Sequence, residues 1–553
     1  MFKHLTKSHI IWPFLLLILT TLLVFGSVTK TFYQQDEWHG LGDVLSLGFN
    51  SVSITIAGPI SLLFGGGRLL SNLLVYFFYS RYPFNLLPIS LTIIFLHAVD
   101  SILVYLLAYK FTKKVIPSFL GAIFFIINSV SSGSVIWPAS GLSTLPSIFF
   151  ILLSLLYFLE YLAKNKKRLL IITFVCLYVS LFFKETAVPL FFLLPLSSLL
   201  FKKIPFKKFI KIYWIFFSFS FLLIFYRLIQ FENITTKQDL FITGASNSVP
   251  LTLVVRAIMY PLTSFSLIYI PSETILTITK HITWVYYPFF PKDLYDLVAQ
   301  TAILDILALF ASFFIFTLLY FLFKKAKSVT KKYIIFVTIL ILLSYLPYII
   351  ISKSYSYLES RYYYTAAIGA GLLIALCVKR ILDLKKTKLF ALLFLLIPFY
   401  YLHLKIISSQ IDIQVSRSQE RLQILNNFLK ETPFLDKKTI FYISGNQVHY
   451  VSEGNYLPMQ QGMGYTLLVW YEAHQKAPAE LLPFIRDHYL WELIGGQGYK
   501  EINGFGFGYF WDLEKLKEVV FKNKLTKDNI QAFYYDSEKE ELKNIKDEVL
   551  KKL

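Results

Sequence analysis

Gln34-Gln35-Asp36-Glu37-Trp38-His39-Gly40 sets two carboxylates beside an indole and an imidazole, just past an apolar run. Neighbouring carboxylates raise one another's proton affinity. One of the pair is therefore suited to act as a general base, with the other supporting it. The competing explanation is a solvated loop at a membrane surface, anchored by Trp38 in the interface. Asp36 and Glu37 also offer oxygen ligands suited to magnesium or manganese, although nothing in the residues demands an ion. No His/Cys cluster has zinc spacing, so no metal ligands are assigned from the sequence.

Further ionisable residues stand where a chain prefers none. His97 and Asp100 lie three residues apart within one apolar run, on one helical face if that run is helical. An ionised Asp at the centre of a membrane helix costs about 2.5–3.5 kcal/mol on insertion scales. The pair is expected either to pack against each other or to line a polar cavity. Lys184-Glu185 forms a turn between two apolar runs, Arg361 lies in Ser360-Arg361-Tyr362-Tyr363-Tyr364, and Arg68 follows Gly65-Gly66-Gly67. Their plain alternatives are a snorkelling lysine, an exposed Arg361–Glu359 ion pair and a loop cation. The glycine run lacks the strand, helix and Lys-Ser/Thr of a phosphate-binding loop. Asn233-Ile234-Thr235 fits a glycosylation acceptor, a pattern short enough to arise by chance.

The elements that must carry these residues are apolar blocks. With 56% hydrophobic residues, the chain exceeds the ~45–50% of soluble domains. Eleven blocks are expected to span a membrane: 10–28, 86–109, 115–131, 142–162, 169–183, 186–201, 209–229, 301–323, 333–352, 362–378 and 389–407. The first is read as a retained signal anchor. The segment 251–270 is apolar but contains Arg256 and Pro261, which suggests a re-entrant or interfacial helix. If it crosses with help from 282–290, the count becomes thirteen. The net charge of +20 is not a nucleic-acid signature, because the loops at every second connection hold 24 basic residues against one acid, Asp383. That distribution places the N-terminus in the cytoplasm and the chain in the plasma membrane as a multi-pass protein. Residues 408–553 carry 18 basic and 20 acidic residues and none of the excess. Here the pattern suggests an extracytoplasmic α/β domain, with a helix over 412–431, strands at 439–444, 466–471 and 530–535, a helix over 513–521 and an irregular turn at Gly504, Gly506 and Gly508. The expected domains are thus 1–407 in the membrane and 408–553 outside it. Cys176 and Cys377 both lie in apolar blocks and imply no disulfide.

Taken together, several of these motifs resemble a known superfamily. Asp36-Glu37-Trp38-His39-Gly40 is similar to the Asp-Glu motif after the first helix of GT-C membrane glycosyltransferases, in form closest to protein O-mannosyltransferases. His97 with the following Ser101-Ile102-Leu103, Lys184-Glu185-Thr186-Ala187-Val188-Pro189, and Ser360-Arg361-Tyr362-Tyr363-Tyr364 resemble later landmarks in the same order, over roughly the first 400 residues. The resemblance implies a mainly α, polytopic helical bundle of GT-C type that transfers a sugar from a polyprenyl-phosphate donor to a protein, lipid or glycan acceptor on the outer side. It implies Asp36 as base with Glu37 beside it, Lys184, Glu185, Arg361 and His97 at the donor, and His39 and Arg68 at acceptor or donor. Inverting displacement would leave charge on the departing lipid phosphate, which preplaced cations stabilise and arginine grips with two parallel bonds.

Two other readings compete. A transporter or flippase would use His97 and Asp100 as its intramembrane site, but no inverted repeat or paired broken spans stand out, and most acids fall at the expected outer surface. A scaffold would bind a surface partner through its C-terminal segment.

Overall fold

The computed structural model describes residues 7–34, 36–54, 56, 64, 67–235, 249–286, 300–349, 360–383, 387–445, 462–491, 496–536 and 538–553. It is mostly helical, with a small C-terminal sheet. Among the described residues, seven helices are long and apolar enough to cross a membrane: Ile11–Lys30, Leu87–Thr112, Pro138–Lys164, Phe206–Tyr226, Ile303–Lys324, Ser328–Tyr348 and Tyr364–Leu382. Their composition is that of a helical membrane protein. An eighth is reached if the bent pair Val254–Leu267 and Ser272–Ile282 counts as one span. Other expected spans form shorter helices, such as Val115–Ile127 and Lys167–Leu181, and the run 389–407 lies within the 45-residue helix Thr387–Glu431.

The chain divides into two compact units. The first comprises Met1–Gly26, Thr55–Ser71 and Leu91–Ile411. A close helix crossing in it joins Val115–Ile127 to Tyr364–Leu382, where a Cβ on Gly371 would stand 2.6 Å from the Gly121 carbonyl oxygen. Only glycines permit that approach. The apolar segment suspected of re-entry is helical, Val249–Leu267, and turns by 99° into Ser272–Tyr286. Pro271 explains the break, since proline cannot continue the first helix and suits the start of the second. Asn128 Nδ2 donates to the Ile268 carbonyl (3.0 Å), His403 Nε2 to the Tyr269 carbonyl (3.0 Å), and the Ser266 amide to Ser312 Oγ (2.9 Å). Irregular backbone is thereby satisfied from within the protein, as an apolar setting requires. The possible return through 282–290 extends beyond the described residues at 287. Basic helix ends in this unit are paired: Lys110 and Lys164 both reach Glu160, and Lys114 Nζ lies 2.5 Å from Asp383 Oδ1.

The second unit is not confined to the C-terminal segment: it comprises Ser27–Ile54, Asn72–Ser90 and Asp412–Leu553. Five strands, β1 (Lys438–Gly445), β2 (Gly498–Ile502), β3 (Phe505–Phe510), β4 (Ile530–Asp536) and β5 (Glu541–Asn544), are ordered β2-β3-β1-β4-β5. The central β1 runs parallel to β3 and β4, while β2 and β5 close the edges antiparallel. Its residues alternate between faces. Ile440 and Tyr442 pack with Leu516 and Val549, whereas Phe441 meets Phe428, Tyr471 and Phe507. Covering both faces explains why β1 reads as a continuous apolar run.

Two expectations for this region need correction. Residues 466–471 are not a strand but part of the helix Met463–Ala473, a buried stretch whose length alone does not separate strand from buried helix. The glycine run is a hairpin rather than an irregular turn. Gly504 takes the left-handed turn position (φ 84°), and Gly506 and Gly508 lie in β3, where Tyr499 packs across them.

Candidate functional site

In the helical unit, four of the residues singled out from the sequence come together. Lys184 ends the Lys167–Leu181 region in extended conformation and Glu185 opens a 3-10 turn, Glu185–Ala187. Hydroxyls hold this turn against the helix Pro138–Lys164: Ser147 Oγ lies 2.7 Å from Ser180 Oγ and 3.0 Å from Thr186 Oγ1. The Lys184 ammonium is buried, donates to Thr144 Oγ1 at 2.7 Å and stands 5.9 Å from the Tyr362 ring centre. Arg68, with a left-handed backbone (φ 47°), grips Glu185 with both edges of its fork, Nη2–Oε2 3.0 Å and Nε–Oε1 3.3 Å. The Glu185 charge raises the Arg68 guanidinium further above its ordinary value.

Arg361 completes the group. Its guanidinium lies 4.3 Å over the Trp137 ring and 5.1 Å from the Tyr362 ring, within cation–π range. Trp137 is placed by the following Pro138, which drives it into extended conformation and starts the long helix. The Arg361 segment is held on three sides. Ser134 Oγ donates to the Arg361 carbonyl (3.4 Å), the Tyr363 hydroxyl to Ser264 Oγ (3.3 Å), and the Tyr364 hydroxyl sits 2.5 Å from His97 Nδ1. Tyr348 stacks near Tyr362 at 4.6 Å and feels the charges of Glu185, Arg68 and Arg361. Lys184 and Arg361 thus share the Tyr362 ring as a neighbour, and Arg68, which holds the Glu185 carboxylate, feels the same tyrosine. Such a place suits an anion. Glu359 and Gly65-Gly66 lie outside the described residues.

His97 is placed differently. It is fully buried, packed by Phe25 and Phe125, and its Nε2 faces the Ile126 carbonyl at 3.4 Å. A carbonyl only accepts, so Nε2 carries the proton and Nδ1 receives the Tyr364 hydroxyl. The ring thus links the start of the Tyr364–Leu382 helix to the end of Val115–Ile127. Asp100 is also fully buried; Tyr364 is its electrostatic neighbour, and neither carboxylate oxygen makes a well-formed hydrogen bond among the described residues.

Asp36, Glu37 and His39 belong to the second unit, on the helix Asp36–Leu47. Asp36 is exposed in the first turn, where the helix dipole favours an acid. Glu37 is fully buried, and its Oε2 accepts from the Gln34 amide at 3.3 Å. Burial and the Glu37 charge hold the Tyr33 hydroxyl well above its usual range. Successive helical residues point about 100° apart. The two carboxylates therefore diverge, and the shared magnesium or manganese allowed by the sequence is not what this helix builds. Trp38 is no interfacial anchor: it is buried against Phe32, Tyr33 and Trp470.

His39 instead turns toward Asp43, Nδ1–Oδ2 3.4 Å, and toward His488, whose Nε2 lies 2.8 Å from Asp43 Oδ1. Burial pushes the His39 imidazole down, partly offset by Asp43. Sequence reasoning missed Asp43, His488, Tyr348, Trp137 and Thr144 as partners. The i,i+4 spacing of His39 and Asp43 was visible, whereas His488 lies 445 residues beyond Asp43. No family model and no curated protein matches the chain.

Proposed function

We propose that the protein is an integral membrane glycosyltransferase of GT-C type, transferring a sugar from a polyprenyl-phosphate donor to an acceptor outside the cytoplasm. The reading includes eleven crossings, a cytoplasmic N-terminus and an extracytoplasmic C-terminal domain, 408–553. One observation carries most of its weight: Lys184 and Arg361 both stand against the Tyr362 ring, beside Trp137, Tyr348 and an Arg68 held by Glu185.

In the proposed reaction the acceptor hydroxyl oxygen bonds to the anomeric carbon while the bond from that carbon to the phosphate oxygen breaks. The hydroxyl proton is assigned to Asp36, exposed at a helix start, on the resemblance alone. Polyprenyl phosphate leaves with the electron pair, and the three cations stabilise its charge. Arg68 leaves one partner for another, since its fork is already preset for a carboxylate. Reconstituted protein supplied with polyprenyl-phosphate sugars should form glycosylated acceptor, with Asp36→Asn and Arg361→Ala both reducing transfer. Undiminished transfer by folded Asp36→Asn removes the base assignment.

A second reading, transport or flipping, draws on Asp100, a fully buried carboxyl within a membrane-length helix. It predicts loss of flux in Asp100→Asn with no sugar transfer by the wild type.

A further inference from the structure

We propose that His39, Asp43 and His488 form a mononuclear zinc site in the second unit. Among the described residues this is the group whose His, Cys, Asp and Glu ligand atoms converge, all within 4.8 Å of one another. Zinc bonds of about 2.0–2.1 Å place tetrahedral ligand atoms roughly 3.3 Å apart. The His39–Asp43 separation of 3.4 Å already matches, and the His488–Asp43 separation of 2.8 Å needs only a small rotation of the carboxylate. Two imidazoles and one carboxylate select zinc over magnesium or calcium, which take oxygen ligands.

The surroundings are those of a built site. His39 and Asp43 project from one face of the helix Asp36–Leu47, and Asp43 is 8% exposed. His488 is presented from a left-handed backbone position (φ 50°), uncommon for a residue with a side chain. The two imidazole rings lie 4.1 Å apart, with Trp491 packed on His39 at 5.3 Å. Tyr465 supplies an independent pointer. It is fully buried, its ring adjoins His488, and its hydroxyl lies against Gly42 with no hydrogen-bond partner among the described residues. A Cβ on Gly42 would come within 2.1 Å of that oxygen, so only glycine admits it. Three protein ligands leave a fourth position for water, and the Tyr465 hydroxyl is the group that would receive or donate its hydrogen bond. The inference stands apart from glycosyl transfer, because metal uptake is read directly.

The test uses the full chain in detergent, stripped with chelator, dialysed against zinc and assayed for metal per chain, with cobalt substitution as a second readout. Wild type should retain about one zinc per chain and give the intense visible cobalt bands of a four-coordinate N/O site. His488→Gln and Asp43→Asn should each abolish retention, and Tyr465→Phe should weaken it by about 10–100-fold. A wild-type chain holding no zinc above the dialysis blank overturns the site, as does a pale six-coordinate cobalt spectrum. Undiminished zinc in both ligand variants places the ion elsewhere and overturns it equally.

Discussion

Replacing Lys184 with methionine separates an electrostatic role from a structural one. In the proposed reaction the donor phosphodiester carries one negative charge and the departing phosphate gains a second, so a nearby cation acts more strongly on the transition state than on the bound donor. Two unit charges about 4 Å apart interact by roughly 4 kcal/mol at an effective dielectric near 20. Only the part tied to the developing charge appears in the rate; single preorganised donors in comparable settings are worth about 100–1,000-fold in kcat. Lys184→Met should therefore lower kcat by about that factor. The ammonium is buried with Thr144 Oγ1 as a 2.7 Å partner, and an apolar isostere removes its desolvation cost. Thr144 would be left without its donor, at about 1–3 kcal/mol. The double variant Lys184→Met/Thr144→Val removes both sides of the bond and should regain that loss without regaining rate. The assay is sugar transfer in liposomes, read as kcat and KM separately, beside thermal unfolding in the same detergent. A kcat within about threefold of wild type, with the Tm unchanged, would refute the argument that this cation serves the leaving group.

Other outcomes follow from neighbouring contacts. Glu185→Gln should tighten polyprenyl-phosphate binding, seen as a lower inhibition constant, because Arg68 loses the carboxylate it now holds at 3.0 Å; the Tm should change by little, since such half-exposed pairs contribute about 0–1 kcal/mol. Gly371→Leu should destabilise by about 1–3 kcal/mol or more and lower the Tm, because its Cβ alone meets the Gly121 carbonyl oxygen at 2.6 Å. His403→Leu leaves the Ser129 amide and the Tyr269 carbonyl without their 3.1 Å and 3.0 Å partners, at about 1–3 kcal/mol for each orphaned group, measurable by chemical unfolding.

What the sequence made legible was set by local physics. Apolar length marked the membrane helices, and the Arg361 and Lys184 turns stood out because cations are costly beside such runs. Their meeting in space was an expectation only from the resemblance, since 177 residues separate them. The role of Trp137 was half visible: its Pro138 neighbour announced an extended residue, but nothing announced the guanidinium over its ring. Residues 466–471 misled because β-branched and aromatic side chains in a fully buried stretch satisfy either period. Glu37 misled for a different reason. Adjacent acids look alike in a string, whereas a helix sends one outward and the other into the core.

The elbow between Leu267 and Ser272 is closed rather than loose. Its exposed-looking carbonyls and amide are claimed by Asn128, His403 and Ser312, from three other segments of the unit. Opening it would strand those side chains as well as the backbone, in surroundings with no water to take their place. Amide protons around the bend should accordingly exchange with deuterium as slowly as those inside an unbroken helix, and the way in for the proposed lipid donor has to open somewhere other than this corner.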